Sequence, residues 1–328
     1  MTRVTPLVLV LASTMLAAPA QAQGLTRTFV SSAGSDSNPC TVTQPCATFA
    51  AAYAAVASGG IVAALDPGKY GPLAINGSVT INGNGWSAIT APVEGNGITI
   101  NAGAGNVVLA GLEIDSAAGP DGPADSNGIV LNSAASLTVT DCILQNLGAG
   151  PVSGTPGGGY GILLQPTSGA LDFAVANTAV LNNGVAGVVY QPPSGSPSVN
   201  GVIDHLTANA NVTAGIVIDT TSASGGTTVI SISNSILGGS DGYGIKAFAT
   251  PAATKLSIDN VTVIGNGIAG INAYATVLLG RSVITGNGTG VNNQTSSPNT
   301  FYTYGDNRIN LNRLQDFIGT LSTTFSQQ

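Results

Sequence analysis

A glycine followed by Ile or Val recurs along most of this 328-residue chain and constrains its fold more than any other feature. Each copy opens a short run of β-branched and aliphatic residues that is typical of a strand. Irregular spacing between fixed polar corners indicates coils of a solenoid, which bury apolar residues only against their neighbours. The sequence therefore predicts an all-β, right-handed parallel β-helix over residues 61–305. The repeated glycines are Gly97, Gly128, Gly161, Gly187, Gly215, Gly244, Gly270 and Gly290.

Polar residues align at two predicted corners of the coil, where side chains can bond to turn backbone and to one another. The first corner is predicted to stack Asp141, Asn177, Asp204, Asn234 and Asn260. The second is predicted to stack Asn182, Asn209, Asn266 and Asn287. The same alignment puts the single histidine, His205, in a column of small or neutral residues that comprises Cys142, Thr178, Ser235, Val261 and Ser282. It favours a structural role for His205 over that of a catalytic base.

The two ends of the chain differ from the coils. Residues 1–22 carry Arg3, an apolar run and the motif Ala20-Gln21-Ala22, which together predict a secretory signal peptide and a secreted or periplasmic protein. No later segment has the length and apolar character of a transmembrane helix. Residues 23–60 are predicted to form an N-terminal cap with a helix over 48–56, and residues 306–328 a C-terminal cap.

The low charge and the three cysteines limit the partners and the cellular compartment that this chain can have. Charged residues make up 7% of the chain, and the formal net charge is −7. Nucleic acid is excluded as a partner, because phosphate binding requires clustered Lys and Arg. Cys40 and Cys46 bracket a short loop and are predicted to form a disulfide in an oxidising compartment. Cys142 is then unpaired and is expected to be buried as a small hydrophobic residue.

Residues 30–70 contain Gly34-Ser35-Asp36-Ser37-Asn38-Pro39-Cys40-Thr41, Pro45-Cys46-Ala47-Thr48-Phe49, Gly59-Gly60-Ile61 and Leu65-Asp66-Pro67-Gly68-Lys69-Tyr70. This segment resembles the N-terminal signature of bacterial pectate-lyase-like β-helix repeat proteins, and the Gly-Ile coils extend the resemblance over almost the whole mature chain. The resemblance implies the fold. That superfamily includes lyases, hydrolases, epimerases and adhesin-like proteins, so it does not imply one activity.

Motifs of the superfamily's enzymes are missing from this sequence. Polygalacturonase-type hydrolases share Asn-x-Asp, Asp-Asp, Gly-His-Gly and Arg-x-Lys, and none of the four occurs here. Calcium-dependent pectate lyases use clustered aspartates with an Arg or Lys base, whereas this chain has no consecutive acidic pair. No catalytic residue is therefore transferred to this chain.

An acidic stretch in a Gly-, Ala- and Pro-rich insertion is a candidate calcium site, because Ca²⁺ prefers oxygen ligands on adaptable loops. A solvated insertion is the alternative, since the spacing matches no calcium-loop motif. The candidate ligands are Glu113, Asp115, Asp121 and Asp125.

Outward-facing residues of the opening strands supply the candidate ligand site. Alternation along a strand predicts an outward column of Thr99, Val130, Leu163, Val189, Val217, Lys246, Asn272 and Asn292. A parallel column contains Asn101, Asn132, Gln165, Gln191 and Asp219, and a one-residue shift would extend it to Phe248 and Tyr274. Adjacent coils would bring together Asp219, Lys246, Phe248, Asn272 and Tyr274.

Aromatic rings beside amides, a carboxylate and an ammonium suit a sugar chain. We therefore expect recognition of a polysaccharide or another cell-envelope component. A polysaccharide lyase or hydrolase with an unusual site and a structural or adhesin-like surface protein are the alternatives. The apolar part of the first column, Val130 to Val217, is expected to be covered by an insertion or by a partner chain.

Overall fold

The computed structural model describes residues 24–117, 125–148, 158–249, 254–296, 299–320 and 323–324. Its strands stack in parallel into a β-helix with three faces, which confirms the predicted fold class. The predicted signal peptide lies outside the described residues.

Face 1 is a ten-stranded parallel sheet, and eight of its strands contain a repeated Gly-Ile or Gly-Val. Its strands are β4 (Leu73–Ile75), β6 (Asn96–Asn101), β8 (Asn127–Ser133), β11 (Tyr160–Leu164), β14 (Ala186–Tyr190), β17 (Ala214–Asp219), β20 (Tyr243–Phe248), β23 (Ala269–Ala273), β26 (Thr289–Asn293) and β29 (Gln315–Ile318).

Face 2 follows face 1 in each coil. Its strands are β1 (Leu25–Val30), β2 (Val56–Ala64), the first parts of β5 (Val79–Ala91) and β7 (Asn106–Ser116), then β9 (Ser136–Thr140), β12 (Ala170–Ala176), β15 (Ser198–Asp204), β18 (Thr228–Ser233), β21 (Thr254–Asp259), β24 (Thr276–Gly280), β27 (Phe301–Thr303) and β30 (Thr323–Thr324).

Face 3 closes the coil. It comprises β3 (Gly68–Lys69), the second parts of β5 and β7, and the short strands β10 (Ile143–Gln145), β13 (Ala179–Leu181), β16 (Thr207–Asn209), β19 (Ile236–Gly238), β22 (Thr262–Ile264), β25 (Val283–Thr285) and β28 (Arg308–Asn310). β28 and β29 lie in the segment predicted as a C-terminal cap, where they pair with β25 and β26.

The core is a stack of aliphatic residues inside the coils. On face 1, the residue after each repeated glycine points inward and pairs with its counterpart in the next coil. These residues are Ile98, Ile129, Ile162, Val188, Ile216, Ile245, Ile271 and Val291, and all are buried. Their burial is the main source of stability, because each coil removes apolar surface from water only by stacking on its neighbours.

One helix occurs in the described residues, α1 (Phe49–Ala55), and it covers the first coil as predicted. The Thr48 hydroxyl accepts a hydrogen bond from the Ala51 N–H and so caps the helix. Phe49 is buried and its ring contacts the Tyr70 ring at a centroid distance of 5.2 Å. The predicted disulfide between Cys40 and Cys46 is formed next to this cap.

The predicted column at the first corner, between faces 2 and 3, is wrong at one position. Strand register pairs Ala176 with Asp204 and Asp204 with Ser233, so His205 and not Asp204 stacks with the corner asparagines. The corner position requires a left-handed backbone, which Asn and Asp adopt more readily than most residues. Its members are Asp141, Asn177, His205, Asn234, Asn260 and Arg281, with φ between 47° and 55°. Leu206 takes the buried position that the sequence alignment gave to His205.

The second corner, between faces 3 and 1, also differs from the prediction. The four predicted asparagines do not share one position, because Asn266 and Asn287 are buried whereas Asn182 and Asn209 are exposed. The coils are offset by one or two residues from the predicted alignment. The interior position is occupied by Asn183, Asn211, Ser240, Asn266, Asn287 and Asn312.

Candidate functional site

The two outward columns of face 1 lie where the sequence placed them. Register pairs Val217 with Lys246, Lys246 with Asn272, and Asn272 with Asn292. Register also pairs Asp219 directly with Phe248. The predicted one-residue shift is therefore wrong: Phe248 continues the second column without it, because each of its members lies four residues after a repeated glycine.

The later coils of face 1 bring three aromatic rings and one ammonium into contact. The Lys246 Nζ lies 4.7 Å from the Phe248 ring centroid and 5.3 Å from the Tyr243 ring centroid. The rings of Phe248 and Tyr274 stack at a centroid distance of 4.9 Å. We call Asp219, Tyr243, Lys246, Phe248, Asn272 and Tyr274 the aromatic patch.

Tyr243 was not predicted as part of this site. Tyr243 lies two residues before the inward-facing Ile245, so strict alternation of side chains would point it inward as well. Alternation therefore does not predict that Tyr243 contacts Lys246. Register skips Gly244, pairing Ala214 with Tyr243 and Ile216 with Ile245. The sequence feature that could have indicated Tyr243 is a tyrosine directly before a repeated glycine, which also occurs at Tyr160.

The polar members of the patch differ in how they are held. The Asp219 carboxylate accepts hydrogen bonds from the Thr221 N–H at 3.0 Å and the Thr221 hydroxyl at 2.6 Å. It also accepts a bond from the Gln191 amide at 3.4 Å, which links two coils. Asn272 is 4% exposed, and its side-chain oxygen has no hydrogen-bond partner in the described part of the chain. A buried acceptor without a donor is costly, and because this oxygen is closed to solvent it marks a polar atom that the patch leaves unsatisfied.

The apolar part of the first column lies beside the patch and is largely buried within the chain. Val130 and Val189 are almost fully buried, and Leu163 and Val217 are half-buried. Val189 belongs to a small cluster with Val185 and Ala186. This part of face 1 therefore offers little exposed surface, and the open contact area lies over the aromatic patch.

His205 lies at the first corner, on the far side of face 2 from the patch. Its Nδ1 is 2.6 Å from the Asp204 carboxylate, which also accepts hydrogen bonds from Ser233 and Asn234. These hydrogen bonds lower the pKa of Asp204 to about 2, with Ser233 making the largest contribution. These bonds tie two adjacent coils together at the corner.

The predicted calcium ligands are only partly described, because Asp121 lies outside the described residues. Among the residues that are described, no three His, Cys, Asp or Glu side chains are grouped as a metal site. The Glu113 carboxylate is exposed and accepts a hydrogen bond from Gln145 at 2.9 Å. The four-residue calcium site stays a prediction.

Cys142 is buried at the first corner, in the core. Burial raises the pKa of its thiol to about 11. A thiol that is buried and largely protonated at neutral pH is a poor nucleophile.

Comparison with solved structures identifies the fold. A crystal structure of pectate lyase Pel9A is similar with a TM-score of 0.64 and 15% identity, over 93% of this chain and 80% of that chain. This chain has a pectate-lyase-like β-helix fold. The same fold is found in a rhamnogalacturonan lyase, with a TM-score of 0.53 and 14% identity over 80% of this chain and 75% of that chain.

The pectate-lyase-like fold does not by itself define an activity. No family model matches the chain, and no curated protein sequence matches it. In the described part of the chain, no helix has the length and apolar character needed to cross a membrane. Function must therefore be argued from the aromatic patch.

Proposed function

We propose that this chain is an exported β-helix protein that recognises a polysaccharide or another cell-envelope component through the aromatic patch. One structural neighbour is named as a pectate lyase and the other as a rhamnogalacturonan lyase, which supports a polysaccharide as the ligand class. The Cys40–Cys46 disulfide supports a secreted or periplasmic location.

The stacked pair of Phe248 and Tyr274 is the observation on which this proposal mainly rests. Two rings at a centroid distance of 4.9 Å on adjacent coils form an apolar platform on face 1. The axial C–H groups of a pyranose ring pack on such a platform, while polar groups at its edge bond the hydroxyls. The coil spacing of about 4.8 Å keeps successive side chains at fixed positions along the platform.

The polar groups around the platform complement a sugar. The Lys246 ammonium can donate hydrogen bonds to sugar hydroxyls, and the Asp219 carboxylate can accept them. Asp219 is held in place by Thr221, so little side-chain entropy is lost on binding.

The proposal is tested by removing each ring and measuring affinity for the glycan that the protein retains. Losing one stacked ring should cost about 1 kcal/mol, so Phe248→Ala and Tyr274→Ala should each weaken binding about fivefold to tenfold. Isothermal titration calorimetry measures the change.

Two control variants define the site. Tyr304 is 39% exposed, close to the 37% of Tyr274, and lies between faces 2 and 3, so Tyr304→Ala should leave affinity unchanged. His205→Ala should also leave it unchanged. If His205→Ala abolishes binding while both patch variants bind normally, the ligand site is at the first corner and the proposal is wrong.

A further inference from the structure

A row of side-chain amides runs along the second outward column of face 1 and ends at the aromatic patch. The Asn132 amide donates a hydrogen bond to the Asn101 side-chain oxygen at 2.9 Å, and the Gln165 amide donates to the Asn132 oxygen at 2.9 Å. Gln191 follows Gln165 on the next coil and donates to the Asp219 carboxylate, which belongs to the patch. We call Asn101, Asn132, Gln165 and Gln191 the amide track.

Each amide of the track keeps hydrogen-bonding groups that the chain does not use. A side-chain amide has two N–H donors and an oxygen with two acceptor positions. The bonds along the track use at most one donor and one acceptor of each side chain. Asn101 and Gln191 are exposed, and Asn132 and Gln165 are half-buried. Because a sugar hydroxyl both donates and accepts, such a row of amides can bond a row of hydroxyls.

Stacked turns border the track on the side of face 2. The three turns that follow Gln165, Gln191 and Asp219 comprise residues 166–169, 192–197 and 220–227. The Ser224 N–H donates to the Gly195 carbonyl at 2.7 Å, and the Ser196 and Ser224 hydroxyls are 3.2 Å apart. A Cβ built on Gly195 would clash with the Thr167 carbonyl oxygen, so the first two turns are also in contact. The free amide groups therefore lead along the solenoid axis to the aromatic patch.

The two outward columns of face 1 carry no net charge. From the coil of Gly97 to that of Gly290, their charged members are Lys246 and Asp219. The Lys246 ammonium already lies against two rings, and the whole chain has a formal net charge of −7. A polyuronate, with one carboxylate on every sugar unit, would bring several anions to a surface that offers one cation, and the net charge of the chain would repel it. The surface therefore suits an uncharged glycan.

Given the proposed function of the patch, on which this inference rests, we propose that the ligand is a linear, uncharged glycan that lies along the solenoid axis. Its sugar rings pack on Phe248 and Tyr274, and further units bond the amide track. From Asn101 to Tyr274 the second column covers six coil steps of about 4.8 Å, or about 29 Å. One pyranose unit of an extended chain spans about one coil step, so about six units fit.

Affinity electrophoresis of the mature protein tests the charge of the ligand. The uncharged probes are glucomannan, galactan and mixed-linkage β-glucan, and the polyuronate probes are polygalacturonate and alginate. We expect an uncharged probe to retard the protein equally at about 0.1 M and about 1 M salt, between which the Debye length falls from about 10 Å to about 3 Å. Retardation by polyuronates alone, or binding that is lost at high salt, would overturn the proposal. If Phe248→Ala still weakens such binding, the patch remains the glycan site. Retardation by no probe would overturn both this proposal and the proposed function.

A length series of oligosaccharides from the retarding glycan tests the path over the amide track. We expect affinity to rise with chain length up to about six units, since about six coil steps separate the ends of the column. Gln165→Ala should weaken binding of the hexasaccharide about fivefold, through lost hydrogen bonds, and should not change that of the disaccharide, which stays on the rings.

The matched control is Asn200→Ala on face 2, because Asn200 is an exposed amide that donates to Asp172 of the adjacent coil at 3.1 Å. This variant should bind every oligosaccharide like the parent, and circular dichroism confirms that both variants fold. An affinity that stops rising at the disaccharide, or a Gln165→Ala variant that binds the hexasaccharide like the parent, would overturn the path over the track.

Discussion

The interior asparagines of the second corner hydrogen-bond one coil to the next. The Asn183 amide donates to the Asn211 oxygen at 2.9 Å, and the same bond joins Asn266 to Asn287 and Asn287 to Asn312. Ser240 interrupts this ladder between Asn211 and Asn266. Its hydroxyl is buried and has no hydrogen-bond partner in the described part of the chain.

Replacing Ser240 by asparagine should therefore stabilise the protein. The new amide would accept from Asn211 and donate to Asn266, which would satisfy a buried polar position and add about 1 kcal/mol to the free energy of unfolding. Chemical denaturation measures the change, with Ser257→Asn on the exposed surface of face 2 as the control, expected within about 0.5 kcal/mol of the parent. A destabilised Ser240→Asn variant would mean that this coil is too narrow for the longer side chain.

Asp66 connects the N-terminal cap to the first coils. Its carboxylate accepts hydrogen bonds from the Ser31 hydroxyl at 2.6 Å, the Ser32 N–H at 2.8 Å and the Tyr70 hydroxyl. These bonds lower the pKa of Asp66 from 3.8 to about 2, and the bond from Ser31 makes the largest contribution. Because the folded-state pKa is depressed, the stabilisation is complete above the unfolded-state value and is lost as the pH falls towards 2.

Asp66→Asn should accordingly lower the melting temperature near neutral pH, and the difference from the parent should shrink between about pH 4 and pH 2. Thermal melts at a series of pH values check this, with the exposed Asp172→Asn on face 2 as the control. A difference that stays constant down to pH 2 would show that the Asp66 charge does not contribute.

At the scale of single strands, the repeated glycine has a steric cause. A Cβ built on Gly187 would lie 2.6 Å from the Gly215 carbonyl oxygen of the next coil, and similar close approaches recur at Gly128, Gly161 and Gly244. None of these four glycines has a positive φ, so the requirement is space between coils. The sequence pattern that predicted the coils thus records where their backbones approach most closely.

Gly187→Ala should destabilise the protein by about 1–3 kcal/mol, because the added methyl also lies 2.6 Å from a Val180 methyl and the coils must separate. Urea denaturation measures this loss. The control is Gly77→Ala, where the new Cβ would meet only the Tyr53 hydroxyl, at 3.8 Å. Equal stabilities of the two variants would contradict the close-approach explanation.

Strand alternation also predicted most of the aromatic patch. Asp219, Lys246, Phe248, Asn272 and Tyr274 fall in the expected columns because side chains on a strand alternate and parallel coils keep their register. Tyr243 was missed because the alternation breaks at Gly244. The corner residues were misaligned because polar residue type does not show which position of a turn adopts the left-handed backbone, as His205 and Asn183 illustrate.

For the whole molecule, the architecture could be predicted from the sequence because a solenoid repeats one local pattern. Each coil contains the same strand pattern, so the pattern is seen many times along the chain. The ligand was not predictable in the same way. A binding site depends on side chains of single coils, which need not recur along the repeat; the proposed site consists of Lys246 and the rings beside it. The acidic residues around Asp121 remain a predicted calcium site for the same reason.

The most direct test of the central claim is to pass the mature protein over a panel of immobilised polysaccharides, recording both retention and the release of unsaturated or reducing ends. We expect at least one polysaccharide to retain the protein without being cleaved, and the double variant Phe248→Ala/Tyr274→Ala to elute early. Release of unsaturated or reducing ends would instead show a lyase or hydrolase. No retention by any polysaccharide would contradict the binding function and favour a structural or adhesin-like surface protein.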